Sequence, residues 1–210
     1  MGPSAITPTA RRVLTLVAAP LLATAAVIAP AISTAPPIPT ASASCPDVEV
    51  VFARGRQEPP GVGQIGDALV NALRSQTSLS VGVYGVNYPA DLSAASGADD
   101  MRAHAQSMAS SCPNTRLVLG GYSLGATAAD LMARGGVSSS ANRQIAAIAL
   151  FGNAGKRLGP APAFAGRTID QCADGDPICG RGIDWPSHLQ PSYLSSGLID
   201  QAASYAAGKL

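Results

Sequence analysis

Apolar and polar positions along the chain switch repeatedly between a short apolar run and a helical period. "DVEVVFA" (47–53) is a compact run rich in β-branched residues and predicts a strand. "QIGDALVNALRSQ" (64–76) puts Ile65, Leu69, Val70 and Leu73 on one stripe and predicts a helix. "SVGVYGVNY" (80–88) reads as strand and "SAASGADDMRAHAQSMASS" (93–111) as helix. "RLVLGG" (116–121) is strand, "LGATAADLMARG" (124–135) a helix ended by glycine, and "QIAAIALFG" (144–152) strand again. The strands are apolar throughout rather than alternating, so both of their faces are expected to be covered. Strand and helix taking turns then argue for a parallel sheet between two helical layers. A loop, "GNAGKRLGPAPAFAG" (152–166), follows, and "YLSSGLIDQAASYAAGKL" (193–210) predicts a last helix.

The first 43 residues break this pattern. A polar start with Arg11 and Arg12, an apolar stretch from Val13 to Ile32, and small residues ending in Ala41, Ser42 and Ala43 have the order of a secretory signal peptide. The expectation is cleavage after Ala43, leaving 44–210 as one domain without a membrane span, exported from the cell. With 47% hydrophobic residues and a formal charge of +1, the 210-residue chain has no basic excess suited to a nucleic-acid partner.

Export makes disulfides the natural reading of Cys45, Cys112, Cys172 and Cys179. Four cysteines permit three pairings, of which the simplest joins Cys172 to Cys179 and leaves Cys45 with Cys112. The spacings lack paired CxxC units and the chain has two histidines, so no metal site is expected.

Candidate chemistry centres on "GYSLG" (121–125). A serine hydroxyl becomes a nucleophile when a base takes its proton and backbone N–H groups face the developing oxyanion. A sharp strand-to-helix turn meets both needs. It exposes Ser123, and Gly121 and Gly125 permit the close approach of strand and helix. The base must be His104 or His188. His104 lies in a charged helix and reads as a solvated surface residue. His188 follows a loop containing Asp174, Asp176 and Asp184, so the order is serine, aspartate, histidine. The residues alone leave the choice of aspartate open. Ile178, Ile183, Trp185 and Leu189 flank the acid and base as candidate linings of an acyl groove.

Taken together, "FARG" (52–55), "GVNYPA" (85–90), "GYSLG", "CADGDPIC" (172–179) and "SHL" (187–189) resemble the cutinases, particularly the bacterial cutinase-like serine esterases. The resemblance runs from Cys45 almost to the C-terminus. It implies an α/β-hydrolase-type three-layer sandwich around a central, mostly parallel five-stranded sheet, without a lid. It also implies a Ser123, Asp176, His188 triad and backbone oxyanion donors at Arg56 and Leu124. The implied disulfides are Cys45–Cys112 and Cys172–Cys179. The implied activity is hydrolysis of short- to medium-chain carboxylic esters, including lipid esters, by a monomer without cofactor or metal. Two positions depart from the fungal pattern: Arg56 replaces a small hydroxyl residue, and Leu124 replaces glutamine. The alternatives are an acetylxylan-type carbohydrate deacetylase and a non-catalytic exported protein that keeps the fold.

Overall fold

The computed structural model describes residues 44–210; the expected signal peptide lies outside the described residues. The elements follow in the order β1 (Val48–Ala53), α1 (Gly63–Gln76), β2 (Val81–Gly85), α2 (Ala95–Ser111), β3 (Arg116–Tyr122), α3 (Leu124–Gly135), α4 (Ser139–Gln144), β4 (Ile145–Phe151), β5 (Thr168–Gln171), α5 (Gln190–Ser195) and α6 (Leu198–Ala207). The five strands form one parallel sheet in the order β2-β1-β3-β4-β5.

Strand side chains alternate between the two faces, and both faces are buried. Val50, Phe52, Val118 and Phe151 pack with Leu69 and Leu73 of α1, Tyr193 of α5 and Ile199 of α6. Val51, Leu117, Leu119 and Ile148 pack with Met101 of α2, Met132 of α3 and Ala141 of α4. This explains the uninterrupted apolar strands: there is no wet face on which to place polar residues. Burying each large side chain contributes about 1.5–3 kcal/mol. Among the described residues, no helix is long and apolar enough to cross a membrane.

Three features differ from the sequence-based expectation. β5 lies in a stretch without an apolar run: its residues, "TIDQ", are all half-buried at the sheet edge and include one apolar side chain, Ile169. β2 ends at Gly85 rather than Tyr88: the Val86 N–H still reaches Phe52 O at 3.0 Å, but beyond it the carbonyls of Val86 and Tyr88 accept from the Arg54 guanidinium, at 3.3 and 2.7 Å, in place of a neighbouring strand. The single C-terminal helix is two, α5 and α6, broken at Gly197, whose φ of 75° is incompatible with a continuing right-handed helix.

The strand order reverses between β1 and β3. A cleft opens in such sheets where the loops leaving the carboxyl ends of these neighbours diverge, and ligands bind there. Arg56 follows β1 and Ser123 follows β3, so both sit at this point.

Candidate active site

Ser123 stands between the last residue of β3 and the first of α3, with φ 54° and ψ −116°. Few non-glycine residues occupy this region, and the strain is held by its surroundings. Its N–H donates to Phe151 O at 2.8 Å, tying the turn to β4. A Cβ at Gly121 would lie 2.2 Å from Gly125 O, and one at Gly125 would lie 1.9 Å from Ala53 O. The two glycines are therefore steric requirements of the turn, which lets β3, α3 and β1 meet.

Ser123 occupies the N-cap position, yet its side chain makes no capping bond. Its Oγ lies instead 2.9 Å from His188 Nε2. His188 Nδ1 lies 2.8 Å from Asp176 Oδ2. The pattern of partners assigns the Nδ1–H tautomer to His188, with Nε2 left to accept from the serine. His188 is 4% exposed and Asp176 0%. Among the three loop aspartates, Asp176 meets the imidazole. Asp184 accepts from Ser187 Oγ at 2.6 Å, and Asp174 is exposed on the loop surface.

Asp176 is held by backbone as well as side chains. The Cys172–Cys179 disulfide closes its loop, and Oδ1 accepts the Ile178 N–H at 2.6 Å. Burial raises the Asp176 pKa, but hydrogen bonds from Tyr193, His188 and the Ile178 amide outweigh it, and the net shift is downward. The carboxylate is thus ionised at neutral pH. His188 ends a 3-10 turn, Trp185–His188. Its carbonyl accepts the Tyr122 hydroxyl, and its ring lies 5.3 Å from that of Trp185. Tyr122 and Tyr193 signal nothing in the sequence pattern beyond core aromatics, because their hydroxyl partners are distant in the chain.

The Leu124 N–H opens α3, where no intrahelical acceptor exists. The Arg56 N–H lies in the β1–α1 loop, and among the described residues it has no acceptor within the chain. That loop is anchored deeply. Arg54, 5% exposed, donates Nε to Glu58 O at 2.8 Å, and the Glu58 carboxylate accepts the Gly55 and Gln64 N–H groups at 2.6 and 3.1 Å. Gln57, at φ 63°, donates to Ala90 O at 2.8 Å, joining this loop to the one after β2.

Two clefts meet at Ser123. One, ≈ 220 Å³, runs past Arg56, Gln57, Tyr122, Leu189 and Gln190. The other, ≈ 240 Å³, is more apolar and runs past Leu124, Thr127, Ala154 and Ile178. Trp185 borders both. Of the four expected groove residues, Ile178, Trp185 and Leu189 line these clefts, whereas Ile183 is 97% exposed and lines neither. A larger hollow, ≈ 530 Å³ beside Cys172, Asp174 and Arg181, brings no hydroxyl and imidazole together.

His104 departs from the solvated surface residue expected. Its Nε2 lies 2.7 Å from Glu49 Oε2, and its ring stacks on Tyr84 at 3.6 Å between centroids. Cys45 is bonded to Cys112, fastening the start of β1 to the end of α2. The clustered metal-ligating side chains among the described residues are Cys172, Asp176 and Cys179, but the two sulfurs are bonded to each other and offer no thiolate.

The Cutinase family model matches residues 44–210. A protein of Mycobacterium bovis named "Probable carboxylesterase Culp2" is 50% identical over 188 residues, covering 80% of this chain and 82% of that one. A Mycobacterium tuberculosis protein named "Phospholipase Culp4" is 47% identical over 218 residues, covering 96% and 93%. Among solved structures, Trichoderma reesei cutinase in complex with a phosphonate inhibitor superposes with a TM-score of 0.69 at 34% identity, covering 78% of this chain and 76% of that one. An acetyl xylan esterase gives 0.70 at 25% identity, covering 79% and 99%. With the family model spanning every described residue and the fold and relatives agreeing, the chain belongs to the cutinase family and is a carboxylic ester hydrolase.

Proposed function

We propose that Ser123, His188 and Asp176 form the catalytic triad of a secreted esterase acting on short- to medium-chain acyl esters. The observation that carries this is the continuous chain of hydrogen bonds from Ser123 Oγ through both imidazole nitrogens to Asp176, 2.9 and then 2.8 Å. His188 Nε2 takes the hydroxyl proton as Ser123 Oγ attacks the ester carbonyl, while the ionised Asp176 holds Nδ1–H and stabilises the imidazolium. The Leu124 and Arg56 amides, both lacking an acceptor among the described residues, stabilise the tetrahedral oxyanion. Imidazolium then protonates the departing alcohol, leaving an acyl-enzyme on Ser123. A water molecule deprotonated by the same histidine releases the acid.

The apolar cleft past Leu124, Ala154 and Ile178 suits an acyl chain, and the more polar one past Gln57 and Gln190 suits the alcohol. Neither is roofed by a helical insertion among the described residues, which supports hydrolysis of dissolved esters. The leader sequence and the two disulfides support export as a domain spanning 44–210. The mature protein is read as a monomer, and its near-neutral charge supports the absence of a nucleic-acid partner.

The test is an acyl-length panel, from acetyl to dodecanoyl and including a phospholipid, on the mature protein and its Ser123→Ala variant. We expect turnover highest from butanoyl to octanoyl and a fall of about 10⁴-fold or more in kcat for the variant. Equal activity in both proteins rejects the mechanism, and a profile confined to acetyl esters favours the deacetylase alternative.

A further inference from the structure

Asp176 Oδ2 has a second donor. The Tyr193 hydroxyl lies 2.6 Å from the same oxygen that lies 2.8 Å from His188 Nδ1. An ionised carboxylate only accepts, so the phenol donates. Tyr193 is wholly buried in α5, and its ring meets Tyr122 and Phe151 edge-on at 5.6 and 6.4 Å. Its oxygen also accepts the Ala173 N–H at 3.3 Å and lies 3.3 Å from Cys179 Sγ. The hydroxyl therefore touches the carboxylate, the start of the loop that carries it, and the disulfide that closes that loop. Packing alone would need only a phenylalanine at this position.

We infer that Tyr193 is a positioning residue of the hydrolysis: its hydroxyl orients Asp176 and sets how firmly that carboxylate holds the proton on His188. This rests on the triad reading above. A carboxylate oxygen shared between two donors has less negative charge to offer each of them. Without the phenol O–H, Asp176 would hold an imidazolium more firmly and swing more freely about its side-chain bonds. The first effect moves the acid limb of the pH–rate profile to higher pH, and the second lowers kcat at the plateau. KM is insulated, because Tyr193 is buried and lines neither cleft.

Other titratable or charged groups near the pair are accounted for. From β3, Tyr122 donates to His188 O, and Ser123 Oγ meets Nε2. Burial raises the Tyr122 and Tyr193 pKa values far above the working range, so both remain donors. From the β1–α1 loop, Arg56 borders the cleft, and Glu58 is occupied by backbone amides. Asp184 is occupied by Ser187, and Arg157 by the Gly180 carbonyl.

The experiment compares pH profiles of kcat and kcat/KM for the mature protein, Tyr193→Phe, and protein carrying 3-fluorotyrosine at position 193, with melting temperatures alongside. Tyr193→Phe is expected to lower kcat about tenfold, within the range for losing a hydrogen bond to a charged group. It should also raise the acid limb by roughly half a pH unit and leave KM within about twofold. The fluorinated phenol is more acidic and a stronger donor, so its limb moves the opposite way; it also carries the test if the phenylalanine variant does not fold. An acid limb unmoved in the folded variants, whatever the melting temperature, or moved in the same direction in both, overturns the inference. Ser123→Ala in the same series separates the two failures. If it retains activity, the triad reading fails; if it is inactive while the limbs stay still, only the role of Tyr193 falls.

Discussion

The two histidines of this protein have nearly the same immediate surroundings. His188 meets Asp176 at 2.8 Å and lies beside Trp185, while His104 meets Glu49 at 2.7 Å and stacks on Tyr84. Each is an imidazole joined to a carboxylate and pressed against an aromatic ring. The difference lies in what the second nitrogen faces and where the pair sits. His188 Nε2 faces Ser123 Oγ at the carboxyl ends of the central strands, where two clefts meet. His104 spends Nε2 on Glu49, bridging the flank of α2 to β1. A histidine–carboxylate pair is thus no signature of catalysis by itself. In the proposed mechanism, the third group and the position at the strand-order reversal give it chemistry.

The sharpest way to break this comparison is to remove the imidazole at His188. His188→Ala should lower kcat by about 10⁴-fold or more, since the serine loses its base, while labelling by a serine-directed phosphonate falls in parallel. A loss under tenfold would place the base elsewhere. A smaller effect is expected from opening the clamp beneath the pair. Replacing Cys172 and Cys179 together by serine should cost at most about 2.5 kcal/mol of stability, because the closed loop is short. Activity should fall about a hundredfold, as Asp176 loses its fixed loop. Urea unfolding and initial rates on the same samples check this, and unfolding that precedes the loss of activity would show the clamp to be global. The smallest effect on rate belongs to the other histidine: His104→Gln should leave kcat/KM within about twofold and cost about 1–3 kcal/mol of stability, since the pair is largely buried and loses its stacking on Tyr84. A large loss of rate there would erase the distinction.

The same contrast explains which features were readable along the chain. β3, Ser123 and α3 were legible because their determinants are local: an apolar run, two glycines demanded by backbone contacts, and a helical stripe. β5 was not, since a half-buried edge strand of four residues needs little apolar periodicity. The break at Gly197 was passed over because "YLSSGLIDQ" keeps helical spacing on both sides of it. The setting of His104 was hidden for another reason: Glu49 and Tyr84 lie 55 and 20 residues away and reach it only through the β1–β2 pairing.

Sequence by itself determined the alternation of strands and helices, the serine at a strand-to-helix turn, and the order serine, aspartate, histidine. These follow from periodicity, backbone sterics and chain order, which act over a few residues or need no geometry. Tertiary structure alone decided the 2.9 and 2.8 Å distances that join Ser123, His188 and Asp176, how the second donor Tyr193 reaches that carboxylate, and that His104 turns to Glu49 and Tyr84. Hydrogen bonds discriminate over fractions of an ångström. Such distances are set by where a disulfide-closed loop, a 3-10 turn and α5 come to rest against the sheet, and no spacing along the chain encodes that.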